Sequence, residues 1–441
     1  MSVIKIALLG CGTVGTQVAR LLTEQADVLE ARAGARLELI GIAVNNLKAE
    51  RDPAIDRSLL TDDAHALIAK ADIVIELIGG IEPPRTLVNE ALAAGASVVT
   101  GNKALLAAHG PELYDAAAAN DVDLYYEAAV AGAVPVVYGL RESLAGDRVT
   151  DVLGILNGTT NFILDEMTTK GLDFETVLKE AQALGFAEAD PTADVGGFDA
   201  AAKIAILASL AFHTRVSLDD VDIQGITEIT ANDIEEARVS GYVIKLIAKA
   251  SLREKGGKKG IEVRVSPSLV PNEHPLASVR GAFNAVVIEA ESAGRLMFYG
   301  RGAGGAPTAS AVLSDVVAAA SHRVIGGHAP RELVYGNLPV FPASESESKF
   351  HIKLAVSDEI GVLNRITQVF ASNGVSVRAV RQEMAGPNDL GMDPDATTKL
   401  YAYLMITTHR ARQADLDKTV DGLSNLWGVH SVVKVLRVEE I

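Results

Sequence analysis

The sequence has a single cysteine, few aromatic residues and no long apolar run. Cys11 is the one cysteine among 441 residues, which excludes an intrachain disulfide framework and suits a reducing compartment such as the cytoplasm. The most apolar stretches have the length of a strand or are interrupted by charge, and the N-terminus lacks the pattern of a signal peptide. We therefore expect a cytoplasmic protein that does not span or bind a membrane.

Basic residues are scarce relative to acidic ones. The chain holds 40 lysines and arginines against 57 aspartates and glutamates, a formal net charge of −17. Such a charge argues against nucleic acids and anionic membranes as partners. A length of 441 residues predicts two or three domains with ample core.

A glycine fingerprint lies near the N-terminus. The apolar run VIKIALL (3–9) is followed by GCGTVG (10–15) and then by a stretch of helical periodicity. A fingerprint between a strand and a helix is the context of a dinucleotide-binding loop. Gly10 would make the tight turn, Gly12 would let the backbone approach the pyrophosphate, and Gly15 would pack the helix on the strand. A tight turn without a ligand is the alternative.

The end of the second predicted strand bears on the choice of cofactor. The strand (37–44) is followed by Asn45 and Asn46, where an acidic residue would bind the ribose hydroxyls of NAD. Lys48 and Arg51 are close enough in sequence to neutralise the 2′-phosphate of NADP. We therefore predict NADP, with NAD as the alternative because asparagine can also bond a bare ribose.

Further strands are predicted at 71–80, 96–103 and 122–135, separated by helical stretches. This alternation implies right-handed βαβ crossovers and an open parallel sheet, that is, a Rossmann-like α/β fold. Ligands bind at the carboxyl ends of such strands, which puts Lys103 and Glu127 on the cofactor side. The alternative for Lys103 is an ordinary lysine at a helix start or on the surface.

The segment LGFAEADPTADVGGFDAAAK (184–203) is the most unusual charged stretch. Its four acids and its single lysine are Glu188, Asp190, Asp194, Asp199 and Lys203. Asp199 and Lys203 are four residues apart in a predicted helix and so share one face of its first turn. A lysine among carboxylates suits the binding of a small zwitterion and the delivery of one proton. A solvated loop followed by an ordinary helical ion pair is the alternative.

The rest of the chain predicts two further units. Alternating runs at 260–270 and 283–300 predict antiparallel strands in an α+β middle domain. The glycine-rich segment 300–307 would either return the chain to the cofactor or act as a hinge. The polar stretch 340–349 is predicted to be an interdomain linker. Beyond it, the order strand, helix, strand, strand, helix, strand predicts a ferredoxin-like module, whose loop 386–398 joins the two middle strands.

Taken together, these segments resemble the homoserine dehydrogenase family in its three-domain form with a C-terminal ACT module. The motifs that carry the resemblance are GCGTVG (10–15), TGNK (100–103), EAAVAGAVP (127–135), GILNGTTNFIL (154–164), LGFAEADPTADVGGFDAAAK (184–203) and GRGAGGAPTAS (300–310). The tail 358–382 resembles the opening of ACT domains, which usually carry Pro-Gly where this chain has Ile360 and Gly361.

The resemblance implies reversible reduction of L-aspartate 4-semialdehyde to L-homoserine with NAD(P)H, a step in threonine, isoleucine and methionine biosynthesis. It also implies a Rossmann domain over 1–135 completed by 305–330, a catalytic and dimerisation domain over 136–304, and an ACT regulatory domain over 350–441. A homodimer or homotetramer is expected, with threonine as the feedback ligand.

The same resemblance implies roles for individual residues. Lys203 would be the general acid, and Lys103 would orient the substrate near the nicotinamide. Glu188 and Asp199 would bind homoserine, with Asp194 supporting them. The residues implied to contact the cofactor are Gly10, Gly12, Thr13, Val14, Gly15, Asn45, Lys103, Gly185, Gly302 and Gly304. Those implied to hold a sodium ion are Glu127 and the backbone carbonyls of Val130, Gly132 and Val134.

Other functions fit the residues less well. A dehydrogenase that oxidises and phosphorylates the same semialdehyde needs a cysteine nucleophile, and Cys11 lies inside the glycine loop. No kinase segment precedes the first residue, so we expect a stand-alone dehydrogenase. From a different class, a non-catalytic NAD(P)-linked amino-acid sensor would have little use for Lys203. Relatives commonly place an arginine where this chain has Asn45, which leaves the use of both cofactors open.

Overall fold

The first part of the chain folds into a parallel sheet. In the computed structural model, which describes residues 2–385 and 401–440, the strands of this sheet are β1 (Val3–Leu9), β2 (Arg36–Ala43), β3 (Leu60–Thr61), β4 (Ile73–Glu76), β5 (Ser97–Thr100) and β6 (Leu124–Tyr125). Their order is β3-β2-β1-β4-β5-β6, and each neighbouring pair is parallel. Because the order reverses beside β1, the loops after β1 and β4 open onto one crevice. The predicted Rossmann-like sheet is confirmed.

The helices of this part are α1 (Thr13–Glu24), α2 (Ala26–Ala33), α3 (Ala64–Ile68), α4 (Pro84–Ala93) and α5 (Lys103–Ala119). The helical stretch predicted after the glycine loop is confirmed, but it is interrupted at Gln25, where the backbone leaves the helical conformation. The break lets α2 pack against β2. Val18 and Leu22 of α1 share an apolar core with Ile6 and Leu8 of β1.

The strand predicted over 122–135 is also wrong beyond the two residues of β6. The chain instead makes a 3₁₀ turn at Glu127–Ala129 and enters the left-handed region at Ala131 and Gly132, both with φ +56°. The segment is apolar because most of it is buried, with Ala133 and Pro135 exposed. Burial of that kind does not distinguish a strand from a packed loop.

The middle of the chain supplies helices on one side and antiparallel strands on the other. Its strands are β7 (Val149–Ile155), β8 (Asp222–Ile223), β9 (Tyr242–Lys255), β10 (Lys258–Pro271), β11 (Phe283–Ala290) and β12 (Gly294–Arg301). Its helices are α6 (Val136–Tyr138), α7 (Gly158–Lys170), α8 (Phe174–Ala183), α9 (Thr192–Val195), α10 (Phe198–Phe212), α11 (Ala231–Val239) and α12 (Gly305–Ile325). A π-helical turn, Gly139–Ser143, continues α6. Helix α12 leaves this part and packs along α1.

The C-terminal part has the predicted order of elements. It comprises β13 (Glu347–Ser357), α13 (Val362–Ser372), β14 (Val377–Ala385), β15 (Tyr401–Thr408), β16 (Ala411–Arg412), α14 (Gln413–Ser424) and β17 (Val429–Val438). Apart from the short β16, this is the strand, helix, strand, strand, helix, strand order of a ferredoxin-like unit. The predicted loop 386–398 lies outside the described residues.

The middle and C-terminal strands form one continuous mixed sheet with the order β12-β11-β7-β9-β10-β17-β13-β15-β14. The seam is a short parallel pairing of β10 with β17, in which Ser268 faces Arg437 and Leu269 faces Val438. Just beyond β17, the buried carboxylate of Glu439 pairs with Lys249 at 2.8 Å and with Arg264 at 2.6 Å.

The predicted linker 340–349 is held to this sheet rather than free. Val340 bridges to Ile261, the N–H of Phe341 donates to the carbonyl of Ile261 at 2.8 Å, and β13 begins at Glu347. Short 3₁₀ turns occur at Arg57–Leu59, Leu218–Asp220, Pro275–Ser278 and Ala343–Glu345. Within residues 2–385 and 401–440, no helix has both the length and the apolar character needed to cross a bilayer.

Candidate active site

The loop between β1 and α1 is shaped for the close approach of a ligand. Gly10 has φ +100°, and a Cβ there would lie 2.7 Å from the carbonyl oxygen of Leu77. A Cβ at Gly15 would lie 2.2 Å from the carbonyl oxygen of Gly10, whereas a Cβ at Gly12 would meet nothing within 4 Å. The fold itself therefore requires Gly10 and Gly15, while the space beside Gly12 is open to a ligand.

Helix α1 begins at this space. Its N-cap is Gly12, which has no side chain to satisfy the first N–H groups of the helix. The first two helical residues are Thr13, which is exposed, and Val14, which is half-buried. Free N–H groups and the positive end of the helix dipole favour a phosphate here.

The end of β2 carries the residues predicted to choose between NADP and NAD. Asn45, Asn46 and Lys48 are exposed. Arg51 reaches the glycine loop, where its Nη1 donates to the carbonyl of Cys11 at 2.7 Å and its Nη2 to that of Asn46 at 3.3 Å. Positive charge therefore borders the loop on the side where a 2′-phosphate would need neutralisation.

A second glycine-rich loop reaches the same region. Helix α12 begins after Gly304, which has φ +116°, and a Cβ at Gly305 would lie 3.0 Å from the carbonyl oxygen of Thr13. A Cβ at Gly132 would lie 2.5 Å from the carbonyl oxygen of Gly302. The segment 300–307 thus packs beside the fingerprint loop. A return of the chain to the cofactor-binding region, one of the two predictions for this segment, needs such packing.

A buried carboxylate that the sequence did not single out shapes the loop after β4. Glu76 is fully buried, and its Oε1 accepts the N–H groups of Ile78 and Gly79 at 2.8 and 3.2 Å. Its Oε2 accepts the hydroxyl of Thr100 at 2.6 Å, which ties the end of β4 to the end of β5.

Asn102 continues this network to the first turn of α5. As the N-cap, its side chain accepts the N–H of Leu105 at 3.1 Å and donates to the carbonyl of Gly80 at 2.7 Å. Lys103 is consequently the first residue of α5, and its side chain is 44% exposed. An asparagine before a helical run is a recognisable capping signal.

Three charged side chains meet between α5 and α10. The Nζ of Lys203 lies 2.7 Å from Oδ2 of Asp199, on one face of α10 as the spacing predicts, and also donates to the carbonyl of Leu156 at 2.7 Å. The Nζ of Lys103 lies 2.9 Å from Oδ1 of Asp199. Each oxygen of Asp199 therefore has its own ammonium partner.

These contacts set the charge states of the cluster. Burial opposes the ionisation of Asp199, but Lys203 and Lys103 hold the pKa of its carboxyl well below the usual range. Burial also opposes the charge of Lys103, yet Asp199, Asp194 and Glu188 raise the pKa of its ammonium group above the ordinary value. Burial raises the pKa of Asp194. Asp199 thus stays ionised while Lys103 carries its proton.

Asn157 connects two of the predicted acids. It caps α7, and its Nδ2 donates to Oδ1 of Asp194 at 2.6 Å and to Oδ2 of Asp199 at 2.9 Å. Asn284 donates to the carbonyl of Leu156, the same carbonyl that Lys203 contacts. Asn157 belongs to the motif GILNGTTNFIL (154–164), but its link to the acids depends on tertiary contacts.

A cavity of about 630 Å³ opens over this cluster. The charged side chains in its wall are Lys103, Glu188, Asp190, Asp194, Asp199 and Asp219. Ile81, in the loop between β4 and α4, and Phe198 of α10 line it as well, so the wall draws on both parts of the fold. Lys203 is 8% exposed and lies behind Asp199 rather than in the wall described here. Gly185, in the turn after α8, is not in that wall either.

The residues implied to hold sodium lie in the packed loop after β6. Glu127 is buried, and its carboxylate accepts the N–H groups of Val137 at 3.0 Å and Tyr138 at 2.7 Å. Burial raises the pKa of Glu127 to about 7. The carbonyl of Val134 accepts the N–H of Val136. Over the residues that the structure describes, no group of three or more His, Cys, Asp or Glu side chains is placed to hold a metal ion.

Comparison with known families gives two matches along the chain. The profile of the family described as homoserine dehydrogenase matches residues 135–317, which include Asp199 and Lys203. The profile described as the NAD-binding domain of homoserine dehydrogenase matches residues 10–127, which begin at the glycine loop.

Relatives and solved structures give the same assignment over the whole length. A homoserine dehydrogenase from Corynebacterium glutamicum is 54% identical, with 99% of this chain and 96% of that protein covered. A crystal structure of a homoserine dehydrogenase from Thiobacillus denitrificans is similar at 37% identity with a TM-score of 0.91, covering 100% and 99% of the two chains. A hyperthermophilic archaeal homoserine dehydrogenase solved in complex with NADPH is 25% identical, with a TM-score of 0.61 over 75% of this chain and all of that one. This chain therefore belongs to the homoserine dehydrogenase family of NAD(P)-dependent oxidoreductases.

Proposed function

We propose that the protein catalyses the reversible NAD(P)H-dependent reduction of L-aspartate 4-semialdehyde to L-homoserine, at the cavity between α5 and α10. The observation that carries the proposal is the placement of Asp199 between the ammonium groups of Lys103 and Lys203. This arrangement offers a cation to a developing alkoxide and carboxylates to a substrate ammonium group, in one cavity between the two parts of the fold.

Lys203 is the proposed general acid. Reduction of an aldehyde builds negative charge on its oxygen, and a positioned ammonium group stabilises that charge and supplies the proton. The nicotinamide, when bound, supplies the hydride. An ammonium group has three N–H donors, and two of those of Lys203 are directed at Asp199 and Leu156. The third would serve the oxygen of a substrate that reaches past Asp199 from the cavity.

Lys103 and the acids are proposed to hold the amino-acid end of the substrate. Glu188 and Asp194 line the cavity and would bind the substrate's ammonium group, together with Asp199. Lys103 is the more exposed of the two lysines and would orient the substrate. Because the pKa of Lys103 is raised, it is protonated at neutral pH and acts as a fixed positive charge.

The reaction is tested by initial rates of L-homoserine-dependent reduction of NADP⁺ and of NAD⁺ by the purified full chain, with sodium present. We expect turnover, with NADP⁺ preferred. The competing function, a non-catalytic NAD(P)-linked amino-acid sensor, predicts that cofactor and amino acid bind without turnover. Binding of both without any reduction at alkaline pH would favour the sensor and contradict the proposal.

The cofactor preference is proposed to depend on Arg51 and on residue 45. Arg51 is anchored to the glycine loop, which leaves its charge beside the position of a 2′-phosphate. Arg51→Gln should lower the ratio of NADP to NAD efficiency, and Asn45→Arg should raise it. Arg57→Gln is a matched control, since Arg57 bonds the carbonyls of Leu47 and Ala49 on the far side of the same turn. An unchanged ratio in the Arg51 variant would remove that residue from cofactor selection.

Glu127 and the carbonyls of Val130, Gly132 and Val134 are proposed to hold a sodium ion. Carbonyl oxygens and one carboxylate are suitable ligands for a hard cation. The ion would offset the cost of burying the Glu127 charge. Replacing sodium by choline should lower the melting temperature of the wild type as well as its activity. An equal melting temperature in both salts would contradict this assignment.

The C-terminal module is proposed to be an ACT domain that binds threonine and regulates the enzyme. The strand and helix order of 347–440, together with the turn at Gly361, with φ +94°, at the start of α13, supports this. A homodimer or homotetramer in the cytoplasm is the proposed assembly and location. Light scattering on the purified chain measures the assembly, and titration with threonine under assay conditions measures the regulation. Threonine binding that persists after deletion of 350–441 would place the sensor elsewhere.

A further inference from the structure

A second cavity, of about 370 Å³, lies at the opposite ends of the two helices that build the active site. Its wall is formed by the C-terminal ends of α5 and α10, the π-helical turn Gly139–Ser143 and the irregular segment 329–334. The two helices pack side by side and both begin at the active site, with Lys103 on α5 and Asp199 on α10. The first turns of both helices belong to one cavity and their last turns to the other.

Arg141 is the feature of this wall that suggests a ligand. Its side chain is 8% exposed, and its guanidinium lies 5.2 Å from the ring centres of both Tyr125 and Tyr138. Its Nη2 donates to Glu142 at 3.3 Å, and its Nε, which is closed off from the cavity, has no hydrogen-bond partner among the described residues. Because Arg141 lies in the cavity wall and its guanidinium makes one hydrogen bond among the described residues, an anion is favoured there, and carboxylates match its planar fork. π-Helical turns such as the one that carries Arg141 occur frequently at functional sites.

The other charges of the wall already have partners. Arg215 pairs with Asp115 at 2.7 Å and with Glu332 at 2.8 Å. Asp123 accepts the N–H of Ala329 at 3.0 Å. Since these acids are already paired, the wall offers no free carboxylate to a ligand's ammonium group. The wall can therefore pair one anionic group of a ligand, at Arg141.

Another part of the wall is apolar and suits a hydrocarbon tail. Small and branched side chains line it, namely Ala117, Ala118, Val122, Leu124, Ile206 and Leu210. Glu142 already brings one negative charge to within 3.3 Å of the Arg141 guanidinium, so a ligand with a single negative charge fits better than a dianion. We propose that this cavity binds a small aliphatic monocarboxylate, with its carboxylate on Arg141 and its tail between α5 and α10.

The proposal goes beyond the dehydrogenase activity and does not depend on it. Calorimetric titration of the full chain with 4-methylpentanoate tests it directly. We expect a dissociation constant in the millimolar range or tighter, and an increase in melting temperature of about 1–2 °C at a tenfold excess over that constant. The neutral analogue 4-methylpentanamide should bind at least about tenfold more weakly, because it lacks the charge that pairs with Arg141.

Variants locate the site. Arg141→Gln should lose the binding, and Ala118→Leu, which fills the exposed mouth of the cavity without touching the buried arginine, should weaken it at least about tenfold. Ala119→Leu is the matched control, since Ala119 is exposed on the same helix but outside the wall, and it should bind as the wild type does. Absence of binding to the wild type at millimolar concentrations, equal binding of the amide, or wild-type affinity in Ala118→Leu would each overturn the proposal.

Discussion

At the scale of single residues, the active site depends on the carboxylate of Asp199, which pairs with the ammonium groups of both Lys103 and Lys203. Asp199 is ionised because two ammonium groups lie within 3 Å of it, and it in turn fixes both lysines. A buried carboxylate without such partners would be costly. Asp199 is therefore both a proposed ligand of the substrate and the group that positions the proposed acid.

Lys203→Ala should lower kcat by about two or more orders of magnitude, as loss of a general acid does. Binding of NADP(H), measured by fluorescence quenching or calorimetry, should be retained because the glycine loop is untouched. Lys179→Ala, on the exposed side of α8, is the matched control and should behave as the wild type. Near-normal turnover in Lys203→Ala would remove this lysine from the chemistry.

Lys245 gives a prediction about stability and pH. It is 2% exposed and donates to Asn161 at 2.9 Å and to the carbonyl of Val279 at 2.7 Å, and burial lowers its pKa to about 8. The unfolded chain, with an ordinary lysine pKa near 10.4, binds more protons between pH 8 and that value. The free energy of unfolding therefore rises with pH across this window, by about 3 kcal/mol.

Urea unfolding at pH 7.5 and pH 10.5 measures this effect. The wild type should gain about 2–3 kcal/mol relative to Lys245→Met between the two pH values, since methionine does not titrate. The exposed Lys179→Met is the control and should follow the wild type. Parallel pH profiles for the wild type and Lys245→Met would show that the buried amine keeps its ordinary pKa.

The sequence identifies the charged residues of the segment 184–203 better than the residues that position them. The i,i+4 spacing of Asp199 and Lys203 was enough to put them on one face. Asn157, Asn284 and Glu76 had no such signal, because their partners are distant in sequence and meet only in the folded chain. An asparagine before a helix indicates a helix cap, but it does not indicate which distant side chains the asparagine contacts.

At the scale of elements, the two glycine loops and the two parallel helices α5 and α10 bring the parts of the site together. The loop after β1 leaves space beside Gly12, and the loop before α12 packs against the same turn. Of the three fingerprint glycines, two are required by packing and one is free of neighbours, so substitutions can separate folding from binding.

Gly12→Ala should weaken cofactor binding, whereas Gly15→Ala should lower the stability of the fold. A Cβ at Gly12 meets nothing within 4 Å, so this variant should melt within about 1 °C of the wild type but bind the cofactor at least about tenfold more weakly. A Cβ at Gly15 would lie 2.2 Å from the carbonyl of Gly10, so this variant should lose about 1–3 kcal/mol of stability. Thermal denaturation and cofactor titration of both variants measure the contrast. Full cofactor affinity in Gly12→Ala would mean that the pyrophosphate does not use this space.

Apolar runs and alternation predict several strands correctly and miss or misplace others. The exact span of β1 and most of β10 and β11 followed from apolar runs and alternation. The 14-residue strand β9 was not predicted, although it is the partner of β10 along its whole length. The apolar loop after β6 resembles a strand in sequence because most of its residues are buried.

At the scale of the whole molecule, the C-terminal module is part of the central sheet. Its β17 pairs with β10, and Glu439 is the buried counterion of Lys249 and Arg264. Burial opposes the charge of Glu439, but the two cations hold the pKa of its carboxyl well below the usual range. The C-terminal module therefore provides the carboxylate that neutralises Lys249 and Arg264 of the middle part, besides forming a unit of its own.

Glu439→Gln should lower the free energy of unfolding by about 3–5 kcal/mol, because it leaves two buried cations without their counterion. Glu440→Gln is the neighbouring control; Glu440 is 33% exposed and pairs with Lys349 at the surface, and its loss should cost less than about 1 kcal/mol. Chemical denaturation of both variants measures the difference. Equal losses of unfolding free energy in the two variants would mean that the buried Glu439 pairing stabilises the protein no more than a surface ion pair does.

The same seam affects how a deletion should be designed. Removal of 350–441 exposes Lys249 and Arg264 without a partner, so loss of activity in that truncation would report instability rather than a catalytic role of the module. Truncation combined with Lys249→Met and Arg264→Met removes this cost. That variant is the appropriate one for the threonine test.

The distance along the chain between the partners of this seam has a consequence for synthesis. Glu439 follows Arg264 by 175 residues and Lys249 by 190. While a ribosome makes the protein, β9 and β10 emerge long before their counterion exists, and contacts of such sequence separation form late. The nascent central sheet must keep these two cations hydrated until the last strand arrives. Its interior is therefore completed only after nearly the whole chain has left the ribosome.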